Sequence, residues 1–230
     1  MKILILGDIH GRTCWKDIIC QENPDKVIFL GDYVTTHENI SNKQQVENFQ
    51  EIVDYKLKNW DNTIMLMGNH DGQMMGYQWA QMSGWSDELY SLLKEINFKD
   101  ILLEFTQLAY IDKDIIYSHS GVSDYWFKNI SKLEKIKDLE ILKPDERLEY
   151  NFDTGYGGGY GNSISQSPIW IRPEALLSSP LKGYIQVVGH TPVEKITNTG
   201  NVYFCDCLPK QYLVKEDDTF IIKDFKLEDS

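Results

Sequence analysis

An α/β fold built on a mainly parallel sheet is predicted by three observations. Apolar runs at residues 2–6, 26–30 and 63–67 each end at a glycine, segments of helical spacing separate them, and four further β-rich runs follow residue 183. Strand, helix, strand, helix, strand in that order gives right-handed crossovers and parallel pairing, with the carboxyl ends of the strands as the natural ligand rim.

Residues 2–6 are apolar without alternation, as expected of a strand covered on both faces. Helical spacing follows at residues 13–20 and again from Ser41 to Trp60, where Val46, Phe49, Ile52, Val53 and Leu57 share one face and Ser41 is placed to cap the amino end. The middle of the chain predicts helices over residues 86–97 and 131–139, strands around 101–105 and 114–118, and a further helical stretch before Asn151. Residues 153–167 hold five glycines interleaved with Tyr156 and Tyr160, which predicts a long loop. The runs at 184–188, 201–205, 211–215 and 219–225 are separated by turn residues and predict an antiparallel ending. Nothing resembles a repeat or an interdomain linker, so residues 1–230 read as one domain.

With 42% hydrophobic and 25% charged residues, the composition is that of an ordinary globular protein. The formal charge of −12, without a dense Lys/Arg cluster, argues against a nucleic-acid duplex as partner. The first apolar run is too short for a signal segment or a membrane span, so a cytoplasmic protein with no membrane partner is expected. Cys14, Cys20, Cys205 and Cys207 read as reduced thiols, and Cys205-Asp206-Cys207 lacks the second half of a zinc pattern.

Three predicted strands end in a glycine followed at once by a side chain that can bind metal: Gly7-Asp8-Ile9-His10, Gly31-Asp32 and Gly68-Asn69-His70-Asp71. Strand ends on one rim bring such residues together from distant parts of the chain. His119 and His190 also follow apolar runs, so four of the five histidines stand at strand ends. A single histidine in that position is ordinarily a hydrogen-bonded core or turn residue. Four of them, alongside Asp8, Asp32 and Asn69, make a site. Carboxylate and amide oxygens with imidazole nitrogens suit divalent ions such as Mn²⁺, Fe²⁺ and Zn²⁺.

The ordered set Gly-Asp-Ile-His-Gly (7–11), Gly-Asp-Tyr-Val (31–34), Gly-Asn-His-Asp (68–71), Ser-His-Ser-Gly (118–121) and Gly-His-Thr-Pro (189–192) resembles the calcineurin-like metallophosphoesterases, in particular the phosphoprotein phosphatase-like members of bacteria and phages. The resemblance implies a sandwich of two mixed central sheets flanked by helices. It further implies that Asp8, His10 and Asp32 hold a first divalent metal, and that Asp32, Asn69, His119 and His190 hold a second, with Asp32 bridging. Manganese is the first choice for both ions, with iron or zinc as alternatives. A hydroxide between the ions would attack phosphorus, and His70 would be the general acid that protonates the leaving alkoxide.

The chain departs from that pattern in several places. The family's second motif continues as Gly-Asp-x-Val-Asp-Arg-Gly, whereas Thr35 and Thr36 stand here at the aspartate and arginine positions. Asp71, Glu38 and His37 are then the candidates for orienting His70, and His37 reads equally well as a loop residue. The arginine that many relatives carry before Gly-Asn-His is Met67, and the second histidine that a subgroup carries two residues after His190 is Pro192, which leaves the first metal less protected. Only three arginines occur: Arg12, Arg147 and Arg172. Arg172, in a Trp-x-Arg segment similar to one in bacterial members, is the candidate for gripping substrate phosphate in a bidentate manner, with Arg12 as a second candidate.

The expected activity is hydrolysis of phosphomonoesters on a dinuclear metal centre, with phosphorylated small molecules, nucleotides and phosphoproteins as candidate substrates. Two rival readings stay open: a phosphodiesterase or dinucleoside polyphosphate hydrolase, and a non-catalytic metal-binding recognition scaffold.

Overall fold

The computed structural model describes residues 1–76, 83–142 and 161–226. Its first sheet has six strands in the order β11-β10-β1-β2-β3-β4. Parallel pairing joins β1 (Lys2–Leu6), β2 (Lys26–Phe29), β3 (Thr63–Leu66) and β4 (Thr106–Gln107), and the hairpin of β10 (Gln211–Glu216) and β11 (Thr219–Asp224) adds antiparallel beside β1. The second sheet, in the order β5-β6-β7-β9-β8, has a parallel centre of β6 (Ile115–Ser118), β7 (Ile185–Val188) and β9 (Val202–Phe204). Antiparallel edges close it on both sides, β5 (Ala109–Asp112) and β8 (Thr197–Thr199). Both sheets are therefore mixed, as the resemblance implies.

Side chains on β1 show how the layers form. Ile3 and Ile5 join Ile28, Leu30 and Leu213 from the first sheet and Ile115, Tyr117 and Val187 from the second, which makes the seam between the sheets. Leu4 and Leu6 point the other way, into a core shared with Val46, Phe49 and Ile52 of helix α2 (Asn42–Lys58). Alternation along a strand explains the split. Because both faces are covered, the sequence shows an unbroken apolar run. The outer face of the second sheet is closed in part by Ala175 and Leu176 of a short helix, α7 (Pro173–Ser178), packed on Val188, Val202 and Phe204.

Helix α1 (Trp15–Glu22) begins two residues later than the spacing predicts. Helix α2 starts behind Ser41, whose hydroxyl accepts from the Gln44 amide while the Gln44 side chain accepts from the Ser41 amide. Two expectations are corrected. Residues 101–105 form no strand but the second half of helix α5 (Phe98–Phe105); Phe98, Ile101, Leu102 and Phe105 recur at helical spacing, which the short apolar run at 101–103 conceals. Residues 131–139 do not form an α-helix: Lys132 takes a left-handed backbone, and only a 3₁₀ turn, Ile136–Glu140, follows. The ending is also not wholly antiparallel, since β9 runs parallel to β7. Helix α3 (Asn69–Met74), which opens on a predicted metal ligand, and helix α6 (Asp124–Asn129) were not foreseen; helix α4 (Asp87–Glu95) was. The helical stretch before Asn151 and residues 153–160 of the glycine-tyrosine loop lie outside the described residues. No described helix is long and apolar enough to cross a membrane.

Phe49 ties α2 to its surroundings, with its ring 4.6 Å from Phe98 and 5.8 Å from Tyr33. Phe49→Ala should cost about 3–5 kcal/mol of stability, the range for emptying a well-packed aromatic site. A lowered urea midpoint with an unchanged slope is the expected reading.

Candidate active site

Loops at the carboxyl ends of β1, β2, β3, β7 and β9 converge on one cleft of about 490 Å³, lined by His10, Asp32, Asn69, His70, Arg172 and His190 among others. Asp32 clusters with Asp8 and with His119, from the loop after β6; all three are buried, with ligand atoms within 4.8 Å of one another.

Two glycines explain why the ligand motifs begin as they do. A Cβ on Gly68, just before Asn69, would overlap the Asp32 carboxylate; a Cβ on Gly189, just before His190, would overlap the Asp8 carboxylate. Each glycine thus makes room for a ligand from a different loop. The same loops then hold those carboxylates: the His190 amide donates to both Asp8 oxygens at 3.0 and 3.1 Å, and the His70 amide donates to Asp32 Oδ1 at 2.9 Å. Asp71 fixes the loop beneath, accepting from the amides of Asp32 and Tyr33 at 2.8 Å and of Gly68 at 2.9 Å. His10, Asp32, Thr35 and His190 all have left-handed backbones, a conformation in which non-glycine residues are uncommon and a β-branched residue such as Thr35 is an outlier. Strain of that kind persists where surrounding contacts enforce it and gathers at functional sites.

The imidazoles reveal what the cluster is built to hold. His10 Nδ1 donates to the Thr35 carbonyl at 2.6 Å, His119 Nδ1 to the Leu30 carbonyl at 2.8 Å, and His190 Nε2 to the Trp170 carbonyl at 3.1 Å. Burial drives all three to the neutral form, with His10 lowered to about 4, His119 to about 3 and His190 well below its ordinary value. The nitrogen left over on each ring is then a bare lone pair aimed into the cluster. His119 Nε2 stands 2.8 Å from Asn69 Oδ1 and 3.5 Å from Asp32 Oδ2; His190 Nδ1 stands 2.7 Å from the same amide oxygen. His10 Nε2 lies 3.9 Å from an oxygen of Asp8 and from one of Asp32. Acceptors facing acceptors repel unless a cation lies between them. Donors at about 2.1 Å around one ion sit roughly 3.0–3.4 Å apart, close to these separations. Ring nitrogens anchored on carbonyls, with the opposite nitrogen free for metal, follow the usual pattern of metal-binding histidines. The residues present therefore fit a divalent cation.

His70 presents its ring to the same cleft, 5.3 Å from that of His10. None of the three candidates named from the sequence orients it through a hydrogen bond. Asp71 is consumed by backbone amides, Glu38 pairs with Arg12 at 2.6 Å, and His37 lines the cleft. Thr35 does so instead: its hydroxyl donates to the Val34 carbonyl, so its oxygen accepts from His70 Nδ1–H at 2.7 Å. Neutral His70 accordingly offers an unprotonated Nε2. Burial, then the nearby His10 and His119, lower its pKa to about 3.

Both predicted arginines reach the cleft. Arg172 donates through Nη1 to Thr191 Oγ1 at 3.1 Å and to the His190 carbonyl at 3.4 Å, with its guanidinium 5.8 Å from the Trp170 ring. Arg12 is held by Glu38 through Nε at 2.7 Å and donates to the Asp8 carbonyl at 3.1 Å. Arg147 lies outside the described residues. Sequence reasoning missed Asp206, which is buried and lines the cleft. It too follows a strand end, but Cys205 stands before it where Gly7, Gly31, Gly68 and Gly189 precede Asp8, Asp32, Asn69 and His190.

With two sheets, a strand-end cleft and a cation-shaped donor set established, the comparisons are specific. The family model described as calcineurin-like phosphoesterase matches residues 1–221, and the chain belongs to that family of metal-dependent hydrolases. Among solved structures, it is similar to a cold-active protein-tyrosine phosphatase of a psychrophilic Shewanella species, at TM-score 0.65 and 16% identity over 96% of this chain and 77% of that one. It is also similar to a protein serine/threonine phosphatase from Saccharomyces cerevisiae, at TM-score 0.59 and 16% identity over 100% of this chain and 81% of that one. At such identities the likeness shows the fold.

Gly189→Ala should displace the Asp8 carboxylate and weaken Mn²⁺ binding about tenfold or more, which titration calorimetry would read, given that perturbing a ligand's support commonly costs 10–100-fold. Burial, then the charge of neighbouring carboxylates, raises Asp8 and Asp32 above the usual carboxylate range, and burial alone pushes Asp206 up to about 6. These groups hold protons that a cation must displace, while the neutral imidazoles do not compete above about pH 4. Mn²⁺ binding is therefore expected to release protons and to tighten as pH rises through 6; buffers of different ionisation enthalpy count the protons released.

Proposed function

We propose that the protein hydrolyses phosphomonoesters with two divalent cations, the first held by Asp8, His10 and Asp32, the second by Asp32, Asn69, His119 and His190. The observation that carries this reading is the place of Asp32 Oδ2, which lies 3.9 Å from His10 Nε2 on one side and 3.5 Å from His119 Nε2 on the other, common to both donor sets. Bound there, the cations supply Lewis acidity to the phosphoryl oxygens and make water nucleophilic at neutral pH. Manganese suits the oxygen and nitrogen donors, as iron or zinc would.

The chain's own residues do the rest. Arg172, cantilevered from α7 over Trp170, takes a phosphate oxygen at the mouth of the cleft, and Arg12 adds positive potential from the side of Asp8. His70 holds Nε2 toward the cleft and delivers the proton that the leaving oxygen needs. To do so the ring must be doubly protonated, and Thr35 offers it a dipole where a carboxylate would offer a charge. The incoming phosphate dianion provides that missing negative charge. Proton delivery by His70 is consequently weak, and esters whose leaving group departs with little help are favoured. Aryl phosphates meet that condition. So do phosphoanhydrides, which keeps dinucleoside polyphosphates as the second reading.

Three measurements test this. An aryl phosphate monoester should be cleaved faster than the matching diester in the presence of Mn²⁺, and absence of both activities would sink the catalytic reading in favour of a binding scaffold. His70→Ala should leave metal binding intact and lower turnover on alkyl esters by about 10²-fold, the low end of the worth of a placed acid, with a smaller loss on aryl esters. Thr35→Asp, compatible with the left-handed backbone at that position, should raise alkyl-ester turnover relative to aryl-ester turnover; an unchanged ratio would refute the role given to Thr35.

A further inference from the structure

Asp206 stands one residue beyond Cys205 at the carboxyl end of β9, the strand that runs parallel beside β7. The register pairs Val188 with Phe204, and the ladder continues through the Cys205 amide to the Val188 carbonyl at 2.7 Å, so Asp206 comes level with His190. Its backbone is held there by the Val193 amide, which donates to the Asp206 carbonyl at 2.9 Å. The side chain is 93% buried on a residue basis, since relative exposure is 7%, yet it lines the cleft. A Cβ on Gly7, the residue before Asp8, would meet the Asp206 Cα at 3.2 Å, so Asp206 lies against the loop that carries Asp8. A buried carboxylate beside two others needs a counter-charge, which a divalent ion supplies.

The two donor sets are unequal. Asp32, Asn69, His119 and His190 give four protein donors to one ion, whereas Asp8, His10 and Asp32 give three to the other. Pro192, which lines the cleft near His190, has no side-chain donor to add. We infer that Asp206 completes the first-ion site, contributing a carboxylate beside Asp8. The inference rests on the two-ion reading above. Arg12 and Arg172 act on Asp206 through their positive charge, so an anchoring role for the arginines is the rival that an experiment has to separate.

The test is Mn²⁺ titration calorimetry of the full chain, comparing wild type with Asp206→Asn and Asp206→Ala, with metal-free melting of each as the folding control. Asparagine keeps the size but removes the charge. Wild type should show two binding transitions. Both variants should weaken one of them by about 10–100-fold or more while leaving the other unchanged, the scale at which support of a metal site is felt. Both should melt no lower than wild type without metal, because a repelling buried carboxylate has gone. Two unchanged transitions in the Asp206→Asn variant overturn the inference and leave the two-ion reading standing; a single transition in wild type overturns both. A variant that binds both ions normally but raises the KM for an aryl phosphate assigns Asp206 to the arginines and also overturns it.

Discussion

Two carboxylates, Asp8 and Asp32, are buried side by side where strand ends of both sheets meet, and much of the surrounding structure follows from that constraint. Like charges taken out of water cost several kcal/mol each unless a counter-charge or strong donors meet them. The backbone supplies part of the answer through the His190 and His70 amides. Glycines at 68 and 189 let those amides approach, and the left-handed turns at His10, Asp32 and His190 aim the side chains inward. A divalent cation would supply the remainder, and three neutral imidazoles turn their free lone pairs into the same cluster.

The ligand cluster was legible in the sequence because it depends on local rules that repeat. A buried parallel strand, a glycine and a polar side chain form one unit, and parallel strands place successive units on one rim. Asp8, Asp32, Asn69 and His190 are found that way, and His119 by its place at the end of the apolar run 115–117. Asp206 was hidden since Cys205 replaces the glycine, and since β9 read as part of an antiparallel ending when it in fact runs parallel to β7. Thr35 was seen only as a missing aspartate; that its hydroxyl would turn back to Val34 and accept from His70 depends on a left-handed backbone that no spacing pattern reveals.

The fold shows the same division. Strands β1, β2 and β3 and the capped helix α2 announce themselves through composition and period. Helix α5 is concealed because Ile101, Leu102 and Leu103 form an apolar run too short to separate helix from strand. Residues 131–139 do not run as a helix because Lys132 takes a left-handed backbone, which interrupts one, while Leu139 is buried beside Trp126.

The donors do not come from one sheet. Asp8, Asp32 and Asn69 follow strands of the first, and His119 and His190 follow strands of the second. An ion seated among them would rivet the sandwich across its seam, at the point where Leu30, Tyr117 and Val187 already pack. Sliding or parting of the sheets would then require the ion to leave first. Occupancy of the centre would thus set the mechanical rigidity of the whole domain and slow its unfolding, even in a molecule that had lost every means of turning over substrate.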